Sequence, residues 1–261
     1  MFVNSGAQNK PHLVYTVINN GYDKLLDPLW TPPNVHYVAF TDQIPPVRES
    51  TAWQVRMMPP SIGEGKLQNR YLKMLYGVGL TEFASVTYID GHIKVIGSLE
   101  SRISQVLCSG AAFGVFRHPS RSTLREELAA VVLQGRSSPQ EAEFDRAKID
   151  SLGDSDSLGL FVGGVIVKNP SASSLRPAME SWWGHFYKNP SRDQLSLPLV
   201  VSDFRQDIIC WKHWEFDFDS QFLTVPHSRS RTVEERIKRF LYSKFPIFFA
   251  QVRRAVRGNG P

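Results

Sequence analysis

The sequence predicts an α/β fold: one Rossmann-like sheet flanked by helices, followed by a basic amphipathic helical tail. Three observations carry that reading. Apolar runs of strand type alternate with stretches of helical spacing along most of the 261 residues. Several of these runs finish on polar residues, which would gather along one edge if the strands are parallel. The positive charge is concentrated near the carboxyl end.

The predicted strands are Leu13–Ile18, Val35–Phe40, Ala52–Met57, Ala84–Ile89, Ala111–Phe116 and Leu160–Val167. Between the third and fourth, Gly65–Leu80 carries Leu67, Tyr71, Met74, Leu75 and Val78 at helical spacing, and Ser98–Leu107 reads as a shorter helix. Thr123-Leu124-Arg125-Glu126 and Ser138-Pro139-Gln140-Glu141 match the capping box, the second with proline at its first helical position, and Gly153 can end that helix. Asp150–Leu158, rich in Ser, Gly and Asp, is expected to be a mobile loop. Ser173–Tyr187 is helical and holds Trp182-Trp183; Ser191-Arg192-Asp193-Gln194 is a further capping-box match that places Asp193 in the first turn of a helix.

Hydrophobic residues make up 42% of the chain, enough for one large core, so residues 1–228 are read as one principal domain and 229–261 as a tail. Cys108 and Cys210 are too few and too far apart for a disulfide framework or a zinc site, which fits a reducing cytosol. No secretory signal pattern and no apolar run of spanning length is present, so a cytoplasmic protein is expected. Arg229 to Arg257 contains nine Lys or Arg and two Glu, a net +7 against +5 for the whole chain, which leaves the body at −2. The basicity belongs to the tail.

Tyr88-Ile89-Asp90-Gly91-His92 is the most informative stretch. Asp90 ends a predicted strand at a glycine turn, where a carboxylate can hold a divalent cation with His92 as second ligand, or can initiate a turn. Thr41-Asp42 and Arg117-His118-Pro119 end two other strands and would complete a polar crevice at the same edge. Arg70 and Lys73 lie one turn apart among apolar positions, so both heads can reach one anion or form a solvated face; Arg121 and Arg125 repeat the spacing. Asp193 can complement a helix dipole or take a proton from a substrate hydroxyl. Trp182-Trp183 can be core, or one ring can stack on a sugar. P-loop, dinucleotide-glycine, Gly-x-Ser-x-Gly and HExxH motifs are all missing, which argues against hydride transfer, Walker-type ATP hydrolysis and serine hydrolysis.

In order, Tyr15-Thr16-Val17-Ile18-Asn19-Asn20-Gly21-Tyr22-Asp23, Ala39-Phe40-Thr41-Asp42, Asn69-Arg70-Tyr71-Leu72-Lys73, Tyr88-Ile89-Asp90-Gly91, His118-Pro119-Ser120-Arg121, Trp182-Trp183 and Arg192-Asp193-Gln194-Leu195-Ser196 resemble the glycosyltransferase-like family long called domain of unknown function 616. The resemblance spans about residues 13 to 200. It implies a GT-A-like fold and transfer of a hexose, galactose or glucose being the first choices, from a UDP-sugar to a bacterial surface polysaccharide such as O-antigen or capsule. Thr16, Asn19, Tyr22 and Asp42 would then meet the nucleoside, while Arg70, Lys73 and Arg121 would meet the diphosphate. A divalent ion, Mn2+ before Mg2+, would be held by Asp90, His92 and a late histidine, His227 before His213. The DxD pattern of such enzymes reads Asp90-Gly91-His92 here and lacks its second carboxylate. Asp193 would face the acceptor as a catalytic or acceptor-binding group.

In the tail, Ile237, Phe240, Leu241, Phe245, Phe248, Phe249, Val252 and Val256 share a helical stripe beside basic residues, and Pro246 should kink the helix. Such a segment can dock on the core, meet a partner helix or lie on an anionic membrane; the membrane is expected, with a lipid-linked or oligosaccharide acceptor. The protein would then be peripheral on the inner face of the cell membrane. Two other readings stay open: a sugar-nucleotide-binding subunit without catalysis, and a nucleic-acid-binding protein using the tail, although the body carries no recognisable nucleic-acid module.

Overall fold

The computed structural model describes residues 10–43, 52–59, 65–133, 135, 137–188, 192–212 and 220–227, with the single positions 237, 241, 245 and 248. Seven strands form one sheet in the order β3-β2-β1-β4-β7-β6-β8: β1 (His12–Ile18), β2 (Val35–Thr41), β3 (Trp53–Met57), β4 (Ser85–Ile89), β6 (Phe113–Arg117), β7 (Phe161–Lys168) and β8 (Ile208–Trp211). The pairings of β1 with β2 and β4, of β2 with β3, and of β6 with β8 are parallel. β7 runs antiparallel to both its neighbours, β4 and β6. Six strands therefore point one way and β7 points the other, so the carboxyl ends of β1, β2, β4 and β6 share an edge with the amino end of β7.

Alternation along the strands divides the core between two faces. Tyr15, Val17, Phe40 and Tyr88 pack on one side with α1 (Gly65–Leu75), α5 (Leu175–Lys188) and α6 (Asp193–Asp203). Val14, Ala39, Ile89 and Val165 pack on the other with α2 (Glu100–Ser109). A third cluster joins α3 (Leu124–Leu133), α4 (Pro139–Ser151) and the start of α6 through Leu124, Leu128, Ile149 and Leu195. This is the mostly parallel, helix-flanked sheet expected from the alternation of elements.

Four expectations are corrected. Helix α1 ends at Leu75 rather than Leu80, because Gly77 and Gly79 take φ of +96° and +86°. A Cβ on Gly77 would stand 2.7 Å from Val86 Cγ1, so the chain passes too close to β4 for any other residue. The carbonyls at this helix end are met by Lys168, a fully buried residue of β7 whose Nζ donates to Lys73, Met74 and Tyr76 at 2.7–2.9 Å. Second, Asp150–Leu158 is not an open loop: α4 extends to Ser151, and a 3-10 turn over Ser155–Leu158 follows, with Ser155 buried. Third, Asp193 does open α6, but the N-cap is Arg192 and makes no side-chain capping bond; Ser191 lies outside the described residues. Fourth, a second sheet was not expected: β5 (Ile93–Val95) and β9 (Phe222–Thr224) pair antiparallel, joining a segment just after Asp90 to one 130 residues later. The Ser138–Glu141 capping box forms as expected.

Among the described residues no helix is long and apolar enough to cross a membrane. Most of the tail lies outside them. Of its expected apolar stripe, Ile237, Leu241, Phe245 and Phe248 are described; Leu241 is partly buried and the other three are exposed.

Candidate functional site

The chain passes from β1 to β2 and β3 on one side, then returns to place β4 on the other side of β1. A parallel sheet opens a crevice at such a reversal, outside the carboxyl ends of its strands. A cavity of about 660 Å³ lies there. Its walls come from the turn after β1, from α1, from Asp90-Gly91-His92, from Gly163-Gly164 at the start of β7, and from Arg121, Arg192-Asp193-Gln194 and His227.

The centre is an ion-pair cluster. Lys73 Nζ lies 2.5 Å from Asp193 Oδ2 and 3.8 Å from Asp90 Oδ1, and Arg70 Nε lies 3.2 Å from Asp193 Oδ1. Lys73 also sits over the rings of Tyr88 and Trp182, at 5.2 and 5.9 Å from their centroids. Room for it comes from Gly163, where a Cβ would stand 2.9 Å from the Lys73 ammonium and 3.2 Å from the Trp182 ring. Trp182 is wholly buried; its Nε1 donates to the Asp193 carbonyl and Ser196 Oγ. It is thus core that shapes the site floor. Burial disfavours the charge on Asp193, yet Arg70, Lys73 and Arg192 outweigh it and hold its carboxyl far below the usual carboxylate range.

Asp90 accepts a 2.6 Å hydrogen bond from the Tyr88 hydroxyl. Burial pushes Tyr88 well above the ordinary phenol value, with Asp90 adding to the effect, so that proton stays on the tyrosine. For Asp90 itself burial again opposes charge, and Lys73, His92 and Arg70 prevail, leaving the carboxyl below its ordinary value.

A second cluster forms at the β1 side. Asp23, His92 and His227 offer one carboxylate oxygen and two imidazole nitrogens, all within 4.8 Å of one another. His227 Nδ1 stands 3.0 Å from Asp23 Oδ2, and the two imidazole centroids are 4.3 Å apart. The β5–β9 pairing creates this proximity: Val225 donates its N–H to the His92 carbonyl at 2.8 Å, which delivers His227 two residues later. Burial lowers the His92 pKa against the pull of Asp90, favouring the neutral, ligand-competent imidazole. One carboxylate with two imidazoles suits a first-row divalent ion.

Of the expected metal ligands, His92 and His227 come together, while Asp90 is not in their cluster and Asp23 is. Asp23 was missed, though its place in a polar turn directly after a strand was a usable signal. His213 lies outside the described residues. Among the expected nucleoside contacts, Asn19 and Tyr22 line the cavity, and the half-exposed Tyr22 ring lies 4.8 Å from that of His227, tilted by 58°. Thr16 is buried within β1 and does not line it. Nor does Asp42, whose two oxygens accept the Asn20 N–H at 2.9 and 2.7 Å. Asp42 therefore braces the turn after β1, where Asn20 and Gly21 take left-handed φ of 54° and 58°.

At the β6 side, Arg121 pairs with Glu127 at 2.8 Å and Arg192 reaches the same carboxylate at 3.5 Å. His118 Nδ1 accepts the N–H groups of Ser120 and Arg121. Burial and the adjacent Arg121 push its pKa down to about 4, so the ring stays neutral. Arg125 does not join Arg121; it pairs with Asp150 at 2.7 Å on the surface.

No protein-family model and no curated protein matches the chain.

Proposed function

We propose that the protein is a nucleotide-sugar-dependent glycosyltransferase using a UDP-sugar, with donor and acceptor meeting in the crevice at the β1/β4 edge. The observation that carries this reading is the juxtaposition of the Asp23–His92–His227 cluster with Arg70 and Lys73 across one cavity. A diphosphate leaving group gains negative charge as the sugar–phosphate bond breaks, and fixed cations at that position stabilise the transition state more than the ground state. A divalent ion, Mn2+ before Mg2+, held by Asp23, His92 and His227, would supply further charge neutralisation there.

The chain's own groups divide the remaining work. Tyr22 offers an exposed ring face at the mouth, suited to a nucleobase, and Asn19 and Asn20 line the adjoining wall. Arg70 and Lys73 meet the diphosphate. Asp193 keeps them in place, because its carboxylate is engaged by both cations and is too weakly basic to accept a hydroxyl proton near neutral pH. Asp90 orients Lys73 from the opposite side with Tyr88 fixing its carboxylate. The acceptor would be a lipid-linked or soluble oligosaccharide of a surface polysaccharide, and the exposed Ile237, Phe245 and Phe248, within a basic segment, would bring the protein to an anionic membrane.

The test is release of UDP from a panel of UDP-sugars, with and without Mn2+. Turnover of at least one donor, strengthened by Mn2+, is expected. A folded protein that releases UDP from none of them and binds UDP would instead be the non-catalytic sugar-nucleotide-binding subunit.

A further inference from the structure

We propose that the Arg121–Arg192 end of the crevice is a second anion subsite that receives a carboxylate or phosphate carried by the acceptor. The proposal rests on the glycosyltransferase reading for the word acceptor, but not for the binding of the anion.

Charge along the cavity is uneven. At its centre Arg70 and Lys73 are matched by Asp90 and Asp193. At the β6 end two guanidiniums, Arg121 and Arg192, share one carboxylate, Glu127, which is wholly buried. Exposed Lys66 adds a third cation on the α1 wall. The nearby acids do not close the gap. Glu126 is on the surface, where its carboxylate accepts the N–H groups of Ser122 and Thr123, and Glu141 is engaged in the α4 capping box. His118 stays neutral and so brings no charge of its own.

The two arginines are also prearranged. Nε and Nη2 of Arg121 both reach Glu127 Oε2 at 2.8 Å, and Arg192 Nη2 donates to Gln194 Oε1 at 2.5 Å. Arg192 Nε is buried and has no hydrogen-bond partner among the described residues. Arg121 Nη2 also lies 2.8 Å from His118 Nε2, so Glu127 and His118 together fix this guanidinium and leave its Nη1 to meet an anion beside the Arg192 guanidinium.

Position separates the Arg121 side of this end from the donor diphosphate, while Arg192, next to Asp193, turns its Nη2 to Gln194 and Glu127. Arg121 follows β6, which lies two strands from β4 across β7, roughly 10 Å at the usual strand spacing. The Asp23–His92–His227 cluster lies on the far side of β4, at the β1 turn. A diphosphate seated by Arg70, Lys73 and that cluster leaves the Arg121–Arg192 end free for another anionic group. Arg121, expected from sequence to meet the donor, is reassigned by this proposal to the acceptor.

The experiment titrates glucose, glucuronate and glucose 6-phosphate into the full chain by calorimetry, with UDP and Mn2+ saturating. Binding of one or both charged sugars about tenfold or more tighter than glucose is expected, as one charge-assisted pair provides, and the two arms tell carboxylate from phosphate. In Arg192→Gln that preference should fall to about twofold, with UDP affinity changed by less than about threefold. Equal binding of charged and neutral sugars by the wild-type protein overturns the proposal, and this readout does not depend on any variant folding. Loss of UDP affinity in Arg192→Gln, with the preference intact, also overturns it by assigning the arginine to the donor. Preferential binding of the charged sugars by a protein that binds no UDP would keep the subsite and remove the glycosyltransferase reading instead.

Discussion

Asp193→Asn should destabilise the protein strongly even though it is nearly isosteric. The side chain is about 4% exposed and meets Lys73 Nζ at 2.5 Å and Arg70 Nε at 3.2 Å. Without its charge, Lys73, itself about 3% exposed, keeps Asp90 at 3.8 Å as its one anionic partner among the described residues. Removing one partner of a buried ion pair costs roughly 3–5 kcal/mol, because the remaining charge stays desolvated. For a chain of this size each kcal/mol moves Tm by roughly 2–4 °C, so a fall of about 10 °C at pH 7 is expected. A charge that only complemented the helix dipole would be worth a few tenths of a kcal/mol to about 1 kcal/mol, and its loss would shift Tm little. The assay is thermal and urea melting of wild type, Asp193→Asn, Lys73→Met and the double variant. The double variant should be more stable than the sum of the single effects implies, by about 1–3 kcal/mol. The pH dependence has a definite sign. A carboxyl whose folded pKa is depressed contributes stability above its ordinary value of 3.8, lost as pH falls through the lower folded value. The gap between wild type and Asp193→Asn should therefore persist down to about pH 4 and close only below it. A variant within about 2 °C of wild type at pH 7, with no coupling to Lys73, would refute the buried-cluster account.

Gly163→Ala places a methyl 2.9 Å from the Lys73 ammonium and 3.2 Å from the Trp182 ring; it should cost about 1–3 kcal/mol and weaken UDP binding, and unchanged melting and affinity would show that Lys73 is not confined there. His118 titrates near 4 when folded and near 6.5 when unfolded, so the unfolded chain gains the proton first and stability should fall as pH drops from about 6.5 to 4, by up to about 3 kcal/mol. His118→Gln should flatten part of that slope in Tm measured against pH; an identical slope would place the ring in solvent. Removing residues after Arg236 should leave a folded protein that no longer sediments with anionic liposomes, with high salt releasing the intact chain in the same assay. Aggregation of the truncated protein would assign the tail to the core.

All six predicted strands lie in the sheet; β1, β4 and β7 were readable because they are buried on both faces and so appear as continuous apolar runs, whereas β3 is an edge strand exposed from Gln54 to Met57. β5, β8 and β9 were missed for a physical reason: at three or four residues each they carry no periodicity, and their partners are supplied by distant parts of the chain. The site divides along the same line. Asp90, His92, Arg70 and Lys73 were visible because they interrupt apolar patterns or end a strand. Asp23 stood at the end of the Tyr15–Asp23 motif without a role, since only the β5–β9 ribbon brings His227 to it. The role of Asp193 was legible as a position on a helix but not as the partner of two cations from α1, because an ion pair between residues 120 apart leaves no local mark.

The central claim is that the crevice binds a nucleoside diphosphate with a divalent ion held by Asp23, His92 and His227. The most direct measurement is calorimetric titration of UDP into wild type and His227→Ala, each with and without Mn2+ after chelator treatment. UDP should bind the wild-type protein, and Mn2+ should tighten that binding by about tenfold or more, whereas in His227→Ala the effect of Mn2+ should largely vanish while the protein remains folded. Failure of the wild-type protein to bind UDP at millimolar concentration, or an Mn2+ effect undiminished in His227→Ala, would contradict the account.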